Sequence, residues 1–94
     1  MSKKQIVSPL RVGNKVFIRT VTHYYLGRIV CVTKDEIVLA ECSWIADTGR
    51  FSAAMHDGTA SEVEPYPDGV AVSVGRGAVV DVSDWRRALL REVK

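Results

Sequence analysis

The sequence predicts a mainly β protein: a small five-stranded barrel with one short inserted helix and a C-terminal helical turn. Three observations carry this expectation. Residues 15–21, 24–33, 37–40, 70–74 and 78–82 are rich in β-branched and aromatic types and too short or wrongly spaced for amphipathic helices. Polar or glycine-bearing turns, Lys34-Asp35, Asp68-Gly69 and Gly75-Arg76-Gly77, punctuate them. Gly27 stands inside the second run, where a strongly curved sheet needs a bend or bulge.

Taken in order, residues 1–11 are polar, carry Lys3, Lys4 and Pro9, and read as a flexible arm, with one small-barrel domain expected over 12–94. Strand one follows, then a long bent strand two, then Ile37-Val38-Leu39-Ala40 paired back on it as strand three. A short helix is expected next, with Asp47 or Thr48 as N-cap and Gly58 as its stop. Phe51, Ala54 and Met55 fall at i, i+3 and i+4, a narrow apolar stripe to lay on the sheet. Pro65 and Pro67 make residues 62–69 an extended connector. Strands four and five form a hairpin about Gly75-Arg76-Gly77. Beyond Ser83, Trp85, Ala88 and Leu89 share a helical face, and Asp84 suits the positive end of a helix dipole. A meander followed by a hairpin, bent at a glycine, is what a closed or nearly closed barrel of the Sm-like or SH3-like kind needs.

Composition narrows the function. Ninety-four residues make one small domain, so a core shared between copies, that is, a homo-oligomer, is expected. With 47% hydrophobic and 26% charged residues the chain is expected to fold. A net charge of +2, from 13 basic and 11 acidic residues, lacks the excess that grips duplex DNA. Cys31 and Cys42 sit in apolar runs without metal-ligand spacing and read as reduced core residues. No run approaches the roughly 20 apolar residues of a membrane span, and Met1-Ser2-Lys3-Lys4-Gln5-Ile6-Val7 lacks the apolar stretch of a signal sequence. The expectation is an intracellular protein with no membrane partner, no metal and no cofactor.

Nothing points to catalysis. His23 and His56 have no acid or thiol at a metal-like spacing, and G-x-S-x-G, H-E-x-x-H and P-loop patterns are missing. The candidate ligand-binding residues are Arg19, Thr20, His23, Tyr24 and Tyr25 around the first strand connection, Trp44, Thr48 and Arg50 around the helix start, and Arg76 at the hairpin tip. Arginine offers a planar fork to phosphate, tyrosine and tryptophan offer faces to a base, and helix-start amides favour anions. The plainer alternative is that the tyrosines cover the barrel end, that Trp44 is core, and that Asp47 or Thr48 merely caps. The binding reading requires Arg19, Arg50 and Arg76 to converge beside uncovered rings, within one chain or across a subunit contact.

Val16-Phe17-Ile18-Arg19-Thr20, with Gly27-Arg28-Ile29-Val30 and Glu36-Ile37-Val38-Leu39, resembles the first motif of Sm-like proteins, whose bent second strand carries a glycine. In those proteins the helix comes first, whereas here it is expected between strands three and four. The chain also resembles a group of small uncharacterised accessory proteins of bacterial viruses and prophages. These share an I-R-T-x-x-x-x-Y-x-G-x-I strand pair, a segment like Trp44-Ile45-Ala46-Asp47-Thr48-Gly49-Arg50-Phe51, and a late G-R-G-A strand. The likeness runs from Val16 to Trp85 and implies a viral protein in the host-cell cytoplasm, with an Sm-like barrel of a type that often forms rings. Together these readings lead to a non-enzymatic, oligomeric binder of a nucleotide-type ligand, a sponge for a signalling nucleotide of antiviral defence. The alternatives are an Sm-like RNA-binding ring and a structural or assembly component of a phage particle.

Overall fold

The computed structural model describes residues 5–94. Its elements are β1 (Lys15–Thr20), β2 (Tyr24–Val32), β3 (Glu36–Asp47), α1 (Phe51–Asp57), β4 (Glu62–Pro65), β5 (Val72–Gly75), a 3-10 turn (Arg76–Ala78) and β6 (Val79–Asp84). Six antiparallel strands form one open sheet in the order β4-β3-β2-β1-β6, with β5 also paired to β3. The count is one more than expected, because residues read as a connector, Glu62–Pro65, pair with the end of β3.

A bulge in β3 makes room for that sixth strand. Leu26 faces Ser43 but Arg28 faces Ala40, so Glu41 and Cys42 stand opposite Gly27 alone. Glu41 takes φ 51° there, and its carboxylate accepts a hydrogen bond from Arg28 Nε at 2.8 Å. A Cβ on Gly27 would lie 3.1 Å from the Ala40 carbonyl oxygen and 3.2 Å from Leu39 Cβ, so the bulge depends on a bare backbone opposite it. Before the bulge β3 pairs with β5, Glu36↔Gly75 to Leu39↔Val72; after it β3 pairs with β4, Ser43↔Pro65 to Asp47↔Glu62.

The sheet is buried on both faces. Val16, Ile18, Ile29, Ile37, Leu39, Cys42, Val72 and Val74 form a first core on what we call the inner face, with Val79 and Val82 of β6 packed against it. Phe17, Leu26, Ile45, Ala60, Val63 and Trp85 form a second core on the outer face, covered by Met55 of α1 and by Leu89 and Leu90. Residues 1–4 of the expected arm lie outside the described residues, and Leu10 packs against the first core.

Helix α1 forms where expected and stops at Gly58, which takes φ 74° and returns its amide to the Ala54 carbonyl. Its N-cap position is held by Arg50 rather than Asp47 or Thr48, because Asp47 Oδ1 is occupied two residues on, accepting from the Gly49 amide at 2.8 Å. Gly58 is also a close crossing point. A Cβ there would stand 2.4 Å from Arg87 Cβ, and Arg87 Nε donates to the His56 carbonyl at 3.0 Å.

Two further expectations are corrected. β5 and β6 are not a hairpin: the 3-10 turn carries the chain from the β3 edge to the β1 edge, where β6 pairs from Val16↔Asp84 to Thr20↔Val79. Nor does residue 85 onward form a helix, although Trp85 is buried at 3% exposure. The segment is held extended by partners no helix could reach together. Trp85 N donates to the Lys15 carbonyl, Ser43 Oγ to the Leu90 carbonyl, and Lys94 and Val63 exchange both backbone bonds at 3.0 Å. Arg91 donates to the carbonyls of Cys42 and Tyr66, to Ser43 Oγ and to Asp68. Together these bonds outweigh the helix propensity of Ala88-Leu89-Leu90-Arg91, a matter of tenths of a kcal/mol per residue.

Two substitutions test this account. Gly27→Val is expected to destabilise by about 1–3 kcal/mol through overpacking against β3, read as a lower urea midpoint at unchanged slope. Arg91→Ala is expected to raise amide exchange at Val63 and Lys94 by more than at β1, because it frees the segment without touching the sheet centre.

Candidate functional site

Strand alternation sorts the candidate residues onto opposite faces. Across the sheet, Val82, Ile18, Tyr25, Trp44 and Glu64 stand in register, one on each of β6, β1, β2, β3 and β4. Val82 and Ile18 belong to the first core, Tyr25 and Trp44 are half-buried, and Glu64 is exposed, so this inner-face row runs out of the core toward the β4 edge. The neighbouring row, Asp81, Arg19, Tyr24, Ile45 and Val63, lies on the outer face. Residues adjacent in sequence, Arg19 with Thr20 and Tyr24 with Tyr25, are thereby separated.

On the inner side three rings meet. The His23 ring stands edge-on to Tyr25 with centroids 4.8 Å apart, and 5.0 Å from Trp44. The turn that presents His23 is closed by Thr20, whose Oγ1 and amide both donate to the His23 carbonyl, at 2.7 and 2.9 Å. His23 Nδ1 lies 2.7 Å from Thr22 Oγ1, while Nε2 is buried and has no hydrogen-bond partner among the described residues. Such an atom costs about 1–3 kcal/mol unless something satisfies it. His23, Tyr25 and Thr20, with Ser73, Gly75 and Ala78, line a hollow of about 210 Å³ at this end of the sheet.

The remaining candidates lie elsewhere. Arg19 forms an ion pair with Asp81, its register partner, and its guanidinium sits 5.9 Å from the Phe51 ring centroid. Hydrogen bonding to Asp81, then its charge, raises the Arg19 pKa. Tyr24 stacks on Phe17 at 5.1 Å in the second core. Thr48 is buried, with Oγ1 donating to the Gly49 carbonyl at 2.8 Å. Arg50 is exposed before α1. Arg76 donates to the Thr33 carbonyl at 2.7 Å and its amide to the Asp35 carbonyl, pinning the 3-10 turn to the β2–β3 turn. The structure thus gathers Thr20, His23, Tyr25 and Trp44, while Arg19 is engaged with Asp81, Arg76 with the β2–β3 turn, and Arg50 stands exposed before α1.

Tyr66 was missed in the sequence. It packs with Tyr25 against the first core, and burial first, then the neighbouring Tyr25 phenol, raises its pKa. An aromatic between two prolines, whose rings fix the chain direction, was the available signal. Of the cysteines, Cys42 is core as expected, but Cys31 is exposed, because the register shifts between Ile29 and Cys31 and breaks the alternation that buries Ile29. Among the described residues no group of three or more acids, histidines or cysteines could hold a metal, and no helix is long and apolar enough to cross a membrane.

No protein-family model matches this chain, and neither a curated protein nor a solved structure matches it.

Burial drives the Cys42 thiol up to about 12 from an ordinary 9.0. The folded protein is therefore expected to react with one equivalent of a thiol-specific reagent at mildly alkaline pH, at Cys31, and with two after denaturation. The sign for stability follows. A folded thiol that stays neutral while the unfolded one ionises gives stability that is full below 9.0 and is lost as pH rises toward about 12.

Proposed function

We propose that this protein is a non-enzymatic binding module that takes a planar, nucleobase-type ring against His23, Tyr25 and Trp44. The observation that carries the reading is the group of three rings, of which His23 and Tyr25 line a hollow of about 210 Å³ and Trp44 stands behind His23. A base has both a π-face for the aromatic side chains and edge donors and acceptors for the Thr20 and Ser73 hydroxyls of the lining. In this reading a nucleotide's phosphates are met by the exposed Arg50 of a second copy, since Arg19 and Arg76 are engaged within every protomer.

The architecture we propose for this module is an Sm-like small barrel. β5 and β6, joined by a single 3-10 turn, contribute to the same core as β1, β2 and β3, which supports a sheet curled nearly onto itself. β6 is hydrogen-bonded to β1 alone, and an edge of that kind suits head-to-tail pairing between copies, the geometry from which rings close. Sequestering a signalling nucleotide of antiviral defence in a virus-infected cell is the biological role that fits a small binder without catalytic groups.

The test is thermal unfolding of the full chain with adenosine, AMP, ADP-ribose and cyclic dinucleotides. At least one is expected to stabilise, by about 2.7 kcal/mol at a hundred times its Kd, and His23→Ala is expected to abolish the shift. No stabilisation across the panel overturns the reading. Binding of single-stranded oligouridine alone, weakening steeply with salt, points instead to an RNA-binding ring.

A further inference from the structure

The inner-face row ends in a second hollow, on the β4 side of Trp44. Its volume is about 350 Å³, and Trp44, Glu64, Pro65, Tyr66 and Pro67 line it. The lining follows from the register. Trp44 and Glu64 are cross-strand partners and share a face of the sheet, and the chain beyond Glu64 turns through Pro65 and Pro67, which hold Tyr66 beside them. Tyr66 is fixed from its backbone: its amide donates to the Cys42 carbonyl at 2.9 Å and its carbonyl accepts from Arg91 at 2.7 Å. The walls are therefore preorganised rather than loose.

The charge of this hollow is opposite to that of the chain. In a protein of net charge +2, its lining holds one carboxylate and no cation. Glu64 has no ion-pair partner among the described residues. Arg91, the cation bonded to the Tyr66 carbonyl, is spent on Cys42, Ser43, Tyr66 and Asp68.

Two aromatic rings, two pyrrolidine rings and a lone carboxylate select among ligand classes. Phosphate or carboxylate meets only the like charge of Glu64. A primary ammonium is strongly hydrated and carries three donors, and in a lining made mostly of ring and proline carbon the Glu64 carboxylate is the one charged acceptor. A methylated ammonium has few donors or none, presents apolar methyl groups to proline and aromatic carbon, and carries a diffuse positive charge that the negative faces of tryptophan and tyrosine attract. We propose that this hollow is a binding site for a quaternary or methylated ammonium group, with Trp44 and Tyr66 as the ring walls and Glu64 as the counter-charge. The hollow shares Trp44 with the His23 ring group but none of the residues lining the His23 hollow, and the proposal does not rest on the nucleobase reading.

The experiment titrates the full chain with choline, Nε-trimethyllysine and the neutral tert-butyl analogue of choline. The readout is Trp44 emission together with the tryptophan indole N–H resonances. Trp85 is 3% exposed and its indole nitrogen is bonded to the Ala88 carbonyl, so a ligand-dependent indole shift reports Trp44. Saturable binding of a methylammonium probe is expected, with the neutral analogue weaker by roughly tenfold. Comparison of choline with trimethyllysine separates a small-molecule source from a modified side chain. Glu64→Gln, at an exposed edge position, is expected to reduce the affinity several-fold while leaving the unfolding midpoint in place, and Trp44→Leu to abolish the response. Equal response to the charged and neutral probes, or none that saturates, overturns the proposal.

Discussion

β1 is buried on both faces, and this is the constraint from which the rest of the structure follows. Val16 and Ile18 are fully buried on one side and Phe17 is 2% exposed on the other. A side chain of this size contributes about 1.5–3 kcal/mol when removed from water, so neither face can be left open. Strands alone cannot cover both in so short a chain. The inner face is closed by wrapping β5 and β6 around Ile29, Ile37 and Leu39; the outer face is closed by α1 and the segment after β6, whose Trp85 ring stacks on Phe17 at 5.6 Å. The inserted helix and the extended end of the chain are thus two halves of one cover.

Most of the strands, the helix and its stop at Gly58 were legible because each rests on local chemistry, β-branched runs and a left-handed cap, and Gly27 marked an irregularity whose extra residues lie in β3 rather than in β2. Three features were not legible, because each depends on a distant partner. Glu62–Pro65 becomes a strand only where the β3 bulge exposes a second edge. Gly75-Arg76-Gly77 looks like a hairpin tip, but Arg76 is tied to Thr33 and Asp35 across the molecule. The segment holding Trp85, Ala88 and Leu89 has helical spacing, but Arg91 and Lys94 find partners on β3, β4 and the turn beyond. For the candidate site, the sequence showed which residue types were present and not which face each would take. Thr20, His23, Tyr25 and Trp44 come together; Arg19 and Tyr24, one position away from two of them, point into the other layer.

Six of the eight arginines are engaged in holding the fold. Arg11 pairs with Asp84, Arg19 with Asp81, Arg28 with Glu41 and Arg91 with Asp68, while Arg76 and Arg87 cap carbonyl groups. The surface pairs add little stability individually, but they fix the direction of each guanidinium. The hollow lined by His23 and Tyr25 and the hollow lined by Trp44 and Tyr66 hold no arginine or lysine, and their recognition chemistry is that of aromatic faces, hydroxyl groups and one carboxylate.

The crossing at Gly58 and Arg87 ties two parts of the chain together. The helix ends where the last segment passes over it, with no space for even a methyl group between them. A lineage that gains a side chain at position 58 must reroute the passage at 87, and rerouting it lifts the lid from Phe17. The constraint therefore runs one way: position 58 is held to glycine both by its left-handed backbone and by the side chain crossing it, whereas position 87 tolerates any side chain that follows the same path.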